Sequence, residues 1–136
     1  MLHPTPELIG RVPLFSALEK RELERVANAF KERRYKAGDN VASEGQKGAG
    51  FFVIGEGTAS VTVRGDPRGT LGPGDYFGEI ALIDAGERTA SITADTDMVC
   101  YGMTFWEFRP VVEADGRIAW KLLQALAAKL RAAQEG

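Results

Sequence analysis

Residues 51–75, FFVIGEGTASVTVRGDPRGTLGPGD, carry the pattern that decides the fold. Short runs of apolar and β-branched residues at 51–54 and 60–63 are typical of strands. Glycine-containing turn sequences, such as the one at 72–75, separate these runs. The pattern continues on both sides, so residues 35–103 are predicted to form many short strands, as in a barrel, sandwich or roll.

Residues 5–34, which precede the β segment, are predicted to be helical. Thr5 followed by Pro6 is a helix start, and Ser16 with Glu19 three residues later is typical of a capping box. We interpret the basic cluster that follows as the solvated end of the second helix. This cluster consists of Lys31, Arg33, Arg34 and Lys36.

Residues 104–136 are predicted to be helical again. Thr104 and Glu107 form another capping box, and Asp115 opens the last helix. Trp120 is expected to pack on the β segment. The apolar residues of the last helix recur at heptad spacing. They are Ala119, Leu123, Leu126, Leu130 and Ala133.

Composition excludes several functional classes. The chain has 136 residues, which is room for one domain, 1–136. Its formal net charge of −2 argues against nucleic-acid binding. No run approaches the roughly 18 apolar residues that a membrane helix needs, and the start does not resemble an export signal. We therefore expect a cytoplasmic protein that binds neither DNA nor a membrane.

The residues that catalysis or metal binding would use are scarce. The chain has one Cys and one His. The single His3 excludes a metal site built from several imidazoles, and Cys100 lies in an apolar, strand-like run where a buried, inert thiol is expected. No nucleophile–base set is found, so we expect no enzyme, no metal and no cofactor.

Residues 74–91, GDYFGEIALIDAGERTAS, could hold a sugar phosphate. Gly78 precedes a short helix-forming segment, where backbone N–H groups are open to an anion. Arg88 and the Thr89 hydroxyl could bind the same phosphate, and the Glu79 carboxylate could accept a hydrogen bond from a sugar hydroxyl. The alternative is that Glu79 and Arg88 only pair with each other.

Residues 77–82 and 88–91 resemble the phosphate-binding cassette of the cyclic nucleotide-binding domain family. This family includes catabolite-activator regulators, kinase regulatory subunits and cyclic-nucleotide-gated channels. The resemblance covers almost the whole chain, and residues 14–18 look like the opening helix of the family. It extends to the turn glycines and to the helix after the roll. These residues are Gly38, Gly45, Gly57, Gly74, Phe105 and Phe108.

The resemblance implies a mainly β fold with flanking helices. The fold is an antiparallel, jelly-roll-like β-roll with N-terminal helices and C-terminal hinge or lid helices. It also implies ligand-binding roles. Arg88 would bind the exocyclic phosphate oxygens, Glu79 the ribose 2′-hydroxyl, and Thr89 the phosphate. Backbone contacts would come from Gly78, Ile80, Ala81 and Ala90, and contacts to the base from Leu130, Ala133 and Gln134.

The expected function is a stand-alone sensor of cAMP or cGMP that signals to a protein partner through movement of the C-terminal helix. No DNA-binding helix-turn-helix follows the last helix, so direct DNA binding is not expected. The alternative is an interaction module that binds no nucleotide and uses the heptad seam as a dimer or partner interface. Glu87, where many family members have proline, favours this alternative, whereas the intact Glu79 and Arg88 favour the sensor.

Overall fold

The computed structural model describes residues 3–45, 50–78 and 90–135. Two helices, α1 and α2, come first with a 3-10 turn between them, eight strands follow, and α3 and α4 end this part of the chain. The helical elements are α1 Pro6–Gly10, the 3-10 turn Pro13–Phe15, α2 Lys20–Ala27, α3 Phe105–Ala114 and α4 Gly116–Glu135. The strands are β1 Lys31–Tyr35, β2 Asn40–Ala42, β3 Phe51–Glu56, β4 Ala59–Val63, β5 Asp66–Leu71, β6 Tyr76–Phe77, β7 Ser91–Ala94 and β8 Met98–Met103.

The strands of the described residues form two four-stranded sheets, ordered β1-β8-β3-β6 and β2-β7-β4-β5. Each pairing is antiparallel; for example, Phe51 lies opposite Met103 in the first sheet and Ser60 lies opposite Thr93 in the second. The prediction of an antiparallel β-roll with flanking helices is therefore confirmed.

Strand β3 is buried on both faces, which explains its uninterrupted apolar sequence. Phe51 and Val53 join a core cluster shared with the helices, whereas Phe52 and Ile54 join a second cluster between the two sheets. In the first cluster, the ring of Phe15 contacts that of Phe51 edge-on at a centroid distance of 6.0 Å. The first sheet is therefore held between the helices and the second sheet.

The predicted turn glycines have the backbone conformation that glycine permits and other residues rarely adopt. The φ angles are +91° at Gly38, +82° at Gly45, +91° at Gly57 and +89° at Gly74. The placement of turns at these four glycines is confirmed.

The N-terminal helical region ends earlier than predicted. Lys31, Arg33 and Arg34 lie on β1, which pairs with β8 and places Arg33 opposite Cys100. The prediction of helix up to residue 34 was therefore wrong. The charge pattern does not encode the hydrogen bonds that this segment makes with a strand some 65 residues later, and basic side chains are common on edge strands.

The capping box predicted at Ser16 is also absent. The Ser16 hydroxyl donates to the carbonyl of Pro13 at 2.9 Å and so ends the 3-10 turn. Helix α2 begins after Glu19, whose backbone N–H donates to the Glu22 carboxylate at 2.8 Å. Residues 14–18 therefore do not form the opening α-helix that the resemblance implied.

The helix starts at Thr5 and Thr104 are confirmed. The Thr5 hydroxyl accepts from the backbone of Leu8 at 3.1 Å. Thr104 and Glu107 exchange two capping hydrogen bonds of 2.9 and 3.1 Å. Asp115 opens α4 by accepting from the backbone N–H of Arg117 at 3.0 Å.

Helix α4 packs on the helix-side core cluster through residues beside the heptad seam, and Leu126 of the seam is partly buried against the same cluster. Ile118 and Leu122 are buried in the helix-side core cluster, whereas Leu123 and Leu130 are 56% and 62% exposed. Trp120 is 63% exposed, so its predicted packing on the roll was wrong. The position of the neighbouring helices decides which face of α4 is buried, and the spacing of the leucines does not indicate that position. None of the helices in residues 3–45, 50–78 and 90–135 has the length and apolar character to span a membrane.

Candidate functional site

The ends of the candidate cassette lie in different sheets. Gly78 directly follows β6, an edge strand of the first sheet, and Ala90 directly precedes β7, an interior strand of the second sheet. Glu79, Ile80, Ala81, Arg88 and Thr89 lie outside the described residues. The described part therefore defines the entry and exit of the cassette, and the roles of these five residues stay predictions.

Aromatic contacts fix the entry of the cassette. The rings of Phe77 and Phe52 stack at a centroid distance of 5.1 Å, and Tyr76 contacts Phe51 at 5.9 Å. Gly78, which comes next, has φ +81°. This left-handed backbone conformation is one that glycine adopts readily and other residues rarely do.

The exit of the cassette is held by β7. Ile92 and Ala94 on this strand are 3% and 1% exposed and belong to the cluster between the sheets. The Ser91 hydroxyl accepts a hydrogen bond from the backbone of Glu44 at 3.0 Å. A residue just before β7, such as Ala90, is therefore placed by a rigid part of the roll.

The candidate base-contact residues lie at the far end of α4. Leu130, Ala133 and Gln134 are exposed, as is the whole of residues 127–135. The structure thus leaves these side chains accessible on one helix end.

Ion pairs connect α2 to the start of α4 and to the residue that precedes it. The Lys121 ammonium lies 2.6 Å from Oε1 of Glu22, whose side chain is 5% exposed. Hydrogen bonds from Lys121 and from the backbone of Glu19 lower the pKa of Glu22, so this buried carboxylate is ionised at neutral pH. An exposed pair between Arg25 and Asp115, at 3.0 Å, lies at the junction of α3 and α4.

The Glu22–Lys121 pair was not predicted from the sequence, although the sequence contains one signal of it. Leu18, Glu22 and Val26 follow one another at a spacing of four, and the two apolar members are buried. A carboxylate on the apolar face of a helix requires a partner, because an unpaired buried charge is very unfavourable. The partner itself is 99 residues away and belongs to another helix.

Cys100 and His3, the residues considered for catalysis or metal binding, are each held by contacts within the fold. Cys100 is 0% exposed, and burial raises the pKa of its thiol to about 12, which confirms the prediction of a buried thiol. His3 contacts the backbone carbonyl of Phe30 through Nδ1 at 2.8 Å. Residues 3–45, 50–78 and 90–135 contain no group of three or more His, Cys, Asp or Glu residues that could hold a metal ion.

The two antiparallel sheets and the flanking helices define a β-roll domain. The family described as "Cyclic nucleotide-binding domain" matches residues 32–115. The chain belongs to this family, and the resemblance found in the sequence is confirmed.

Two relatives have similar sequences over most of this chain but over only a small part of their own length. The potassium/sodium hyperpolarization-activated cyclic nucleotide-gated channel 2 of Mus musculus is 33% identical over 107 residues, which are 79% of this chain and 12% of the channel. The cAMP-dependent protein kinase regulatory subunit of Mycosarcoma maydis is 40% identical over 87 residues, which are 61% of this chain and 17% of that subunit. The chain thus spans less than a fifth of the length of either relative.

Solved structures show the same fold. The N-terminal domain of a transcriptional regulator from Streptomyces coelicolor A3(2) matches with a TM-score of 0.89 and 28% identity over 95% of this chain and 96% of that one. The Thermus thermophilus Catabolite Activator Protein matches with a TM-score of 0.72 and 29% identity over 90% of this chain and 60% of that one. By name, these relatives are channels, regulatory subunits and transcriptional regulators.

Proposed function

We propose that this domain is a sensor that binds cAMP or cGMP in the segment between Gly78 and Ala90. The observation that carries the proposal is this segment itself. Its sequence resembles the family's cassette, it begins at a left-handed glycine after an anchored strand, and it ends at an interior strand of the other sheet. The nucleotide is a ligand and not a cofactor, because the proposed function is signalling.

In this proposal, Arg88 binds the exocyclic oxygens of the cyclic phosphate through its planar guanidinium group. Glu79 accepts a hydrogen bond from the ribose 2′-hydroxyl, and Thr89 adds a polar contact to the phosphate. Each charge-assisted contact contributes about 1.5–3 kcal/mol. Further contacts come from the backbone of Gly78, Ile80, Ala81 and Ala90.

Helix α4 is the proposed lid. Its exposed end carries Leu130, Ala133 and Gln134, which would cover the base when the helix moves toward the cassette. Nucleotide can drive this movement only if it binds the closed arrangement more tightly than the open one. We expect slower amide exchange over residues 127–135 at saturating nucleotide, and unchanged exchange would contradict the lid.

Calorimetric titration with cAMP and cGMP tests the binding. Arg88→Ala should abolish saturable binding, whereas Arg68→Ala, which removes an equal charge from the exposed edge strand β5, should leave it intact. The nucleotide with the lower dissociation constant identifies the signal. The absence of binding by the unaltered protein at millimolar cAMP and cGMP would refute the proposal.

A second candidate function is homodimerisation through α4. Trp120, Leu123 and Leu130 are all more than half exposed on this helix, at 63%, 56% and 62%. Sedimentation velocity at increasing concentration tests it, with Leu123→Glu as the variant that should dissociate a dimer. A monomer at all concentrations would exclude this candidate, and a nucleotide-independent dimer with no nucleotide binding would favour it over the sensor.

The proposal assigns signalling to a protein partner in the cytoplasm, without catalysis and without direct DNA binding. The names of the relatives support a regulatory role. Incubating the protein with cAMP and separating the products by chromatography tests the absence of catalysis, since release of the 5′-monophosphate would show a hydrolase. Gel-shift titration with random-sequence duplex DNA tests the absence of DNA binding.

A further inference from the structure

Among residues 3–45, 50–78 and 90–135, Glu22 is the one buried residue with a polar or charged side chain. Its relative exposure is 3%. Its Oε1 accepts from the Lys121 ammonium at 2.6 Å and from the backbone N–H of Glu19 at 2.8 Å. A carboxylate in this position is stable only while it is paired, because removal of one partner leaves a buried charge without compensation. The Glu22–Lys121 pair therefore resists any displacement of the start of α4 from α2.

The first turns of α4 are held to the helical layer by apolar contacts as well. Ile118 and Leu122 flank Lys121 and are buried in the same cluster as Val26 of α2. In contrast, residues 127–135 are exposed. Helix α4 thus has a packed first half and an exposed second half.

Helix α2 is in turn attached to the roll. Only residues 28–30 separate α2 from β1, and Phe30 is fully buried with its ring 5.8 Å from that of Phe51. Helix α2 therefore does not follow α4 freely if α4 moves. Displacement of the whole of α4 relative to α2 would instead draw Lys121 away from Glu22.

We infer that the Glu22–Lys121 ion pair is a latch that holds α4 in the open arrangement, with residues 127–135 exposed, and so weakens nucleotide binding. This inference rests on the proposed function, because it concerns the regulation of that site. Lys121 and Glu22 are positioning residues, since they act on the nucleotide only through α4. The latch lowers the fraction of molecules that are competent to close, and the apparent affinity falls by the same fraction.

The decisive variant is the double substitution Glu22→Gln with Lys121→Met, which removes both charges and leaves no unpaired one. Glutamine keeps the oxygen that accepts from the backbone of Glu19. We expect this variant to bind the preferred cyclic nucleotide roughly fivefold more tightly or better, at the lower end of typical coupling between sites.

A matched control removes an ion pair that does not connect two elements. Arg109→Met with Glu113→Gln breaks the exposed pair within α3, whose N···O distance is 3.2 Å. This control should leave the dissociation constant unchanged. Circular dichroism of each variant establishes that the compared proteins are folded.

Amide exchange without nucleotide separates the latch from the binding proposal. The Glu22→Gln, Lys121→Met variant should exchange faster than the unaltered protein over residues 116–126. Equal exchange in both proteins, or equal or weaker nucleotide binding by the folded variant, would overturn the latch. If the unaltered protein binds no cyclic nucleotide, the proposed function fails, and the exchange measurement still decides whether the pair holds α4.

Discussion

A Cβ atom placed on Gly57 would lie 2.3 Å from the carbonyl oxygen of Asp97. The turn between β3 and β4 therefore touches the backbone of the turn between β7 and β8. Three hydrogen bonds join the same turns. The backbone N–H of Thr58 donates to the Thr96 hydroxyl at 3.0 Å, and the Thr58 carbonyl accepts from the backbone N–H groups of Asp95 at 2.9 Å and Thr96 at 3.4 Å. Each of these turns crosses between the two sheets, because β3 and β8 belong to the first sheet and β4 and β7 to the second.

Substitution of Gly57 tests the importance of this contact. Gly57 and Gly38 both have φ +91°, but a Cβ on Gly38 would meet nothing within 4 Å. Each alanine substitution should lower the free energy of unfolding by about 1 kcal/mol, because alanine disfavours the left-handed conformation. Gly57→Ala should lose about 2 kcal/mol more, because backbone atoms must move. Urea denaturation of both variants measures the difference, and equal free energies of unfolding would show that the turns separate without loss.

The capping box of α3 gives a second prediction. Thr104→Ala removes the hydroxyl that accepts from the backbone of Glu107, so the free energy of unfolding should fall by about 1 kcal/mol. Thr104→Ser keeps the hydroxyl and should lose less than half of that. Thermal and urea denaturation measure both variants. If alanine and serine destabilise the protein equally, the loss comes from the threonine methyl group and not from the cap.

The dependence of stability on pH gives a third prediction. Burial alone would raise the pKa of Glu107, but hydrogen bonds from Lys31 and Thr104 outweigh it, so the pKa lies below the ordinary value of 4.5. The pKa of Glu22 is also lowered, mainly by Lys121. Because these folded-state pKa values are depressed, the unfolded chain takes up protons first as the pH falls.

The stabilisation from these carboxylates is thus present above the ordinary pKa and is lost as the pH drops below 4.5 through the folded-state values. Urea denaturation between about pH 7 and pH 3 measures the loss. Glu107→Gln should flatten the acid limb of the stability curve. Glu113→Gln, which removes a carboxylate that is 63% exposed, should leave the limb as steep as in the unaltered protein. A limb equally steep in Glu107→Gln would contradict the prediction.

Features of the fold that depend on neighbouring residues were predictable from the sequence. The strand runs, the turn glycines and the caps at Thr5 and Thr104 each require only a few adjacent residues, and the structure contains all of them. Strand β1 was not predictable in this way. Lys31 and its neighbours become a strand because β8 offers them hydrogen-bond partners, and the sequence near Lys31 does not record that pairing.

The candidate site was also predictable only where it depends on residues that are close together in the sequence. The cassette is a continuous segment, so its sequence was sufficient to identify the family before the fold was known. The face of α4 that packs was not, because the heptad spacing of Leu123 and Leu130 is compatible with burial or exposure. The Glu22–Lys121 contact joins residues 99 positions apart, and only the acidic residue on an apolar helix face pointed to it.

The fourth prediction uses Cys100 as a probe of the interior of the roll. This residue is the only cysteine of the chain, is fully buried, and lies on β8 between β1 and β3. Since burial raises the pKa of its thiol to about 12, the folded protein should not react with a thiol reagent at neutral pH. Labelling should proceed at the rate of global unfolding, because a central strand opens only with the whole domain.

The matched control for this experiment is Ala132→Cys, which adds a thiol on the exposed second half of α4. This variant should react at once with one equivalent of the thiol reagent at the introduced thiol. Cys100 should react with a second equivalent only in denaturant. Comparison of the slow labelling rate with the unfolding rate measured by fluorescence decides the outcome. Rapid labelling of Cys100 in the unaltered protein would show that β8 opens locally, and the two sheets would then not act as one cooperative unit.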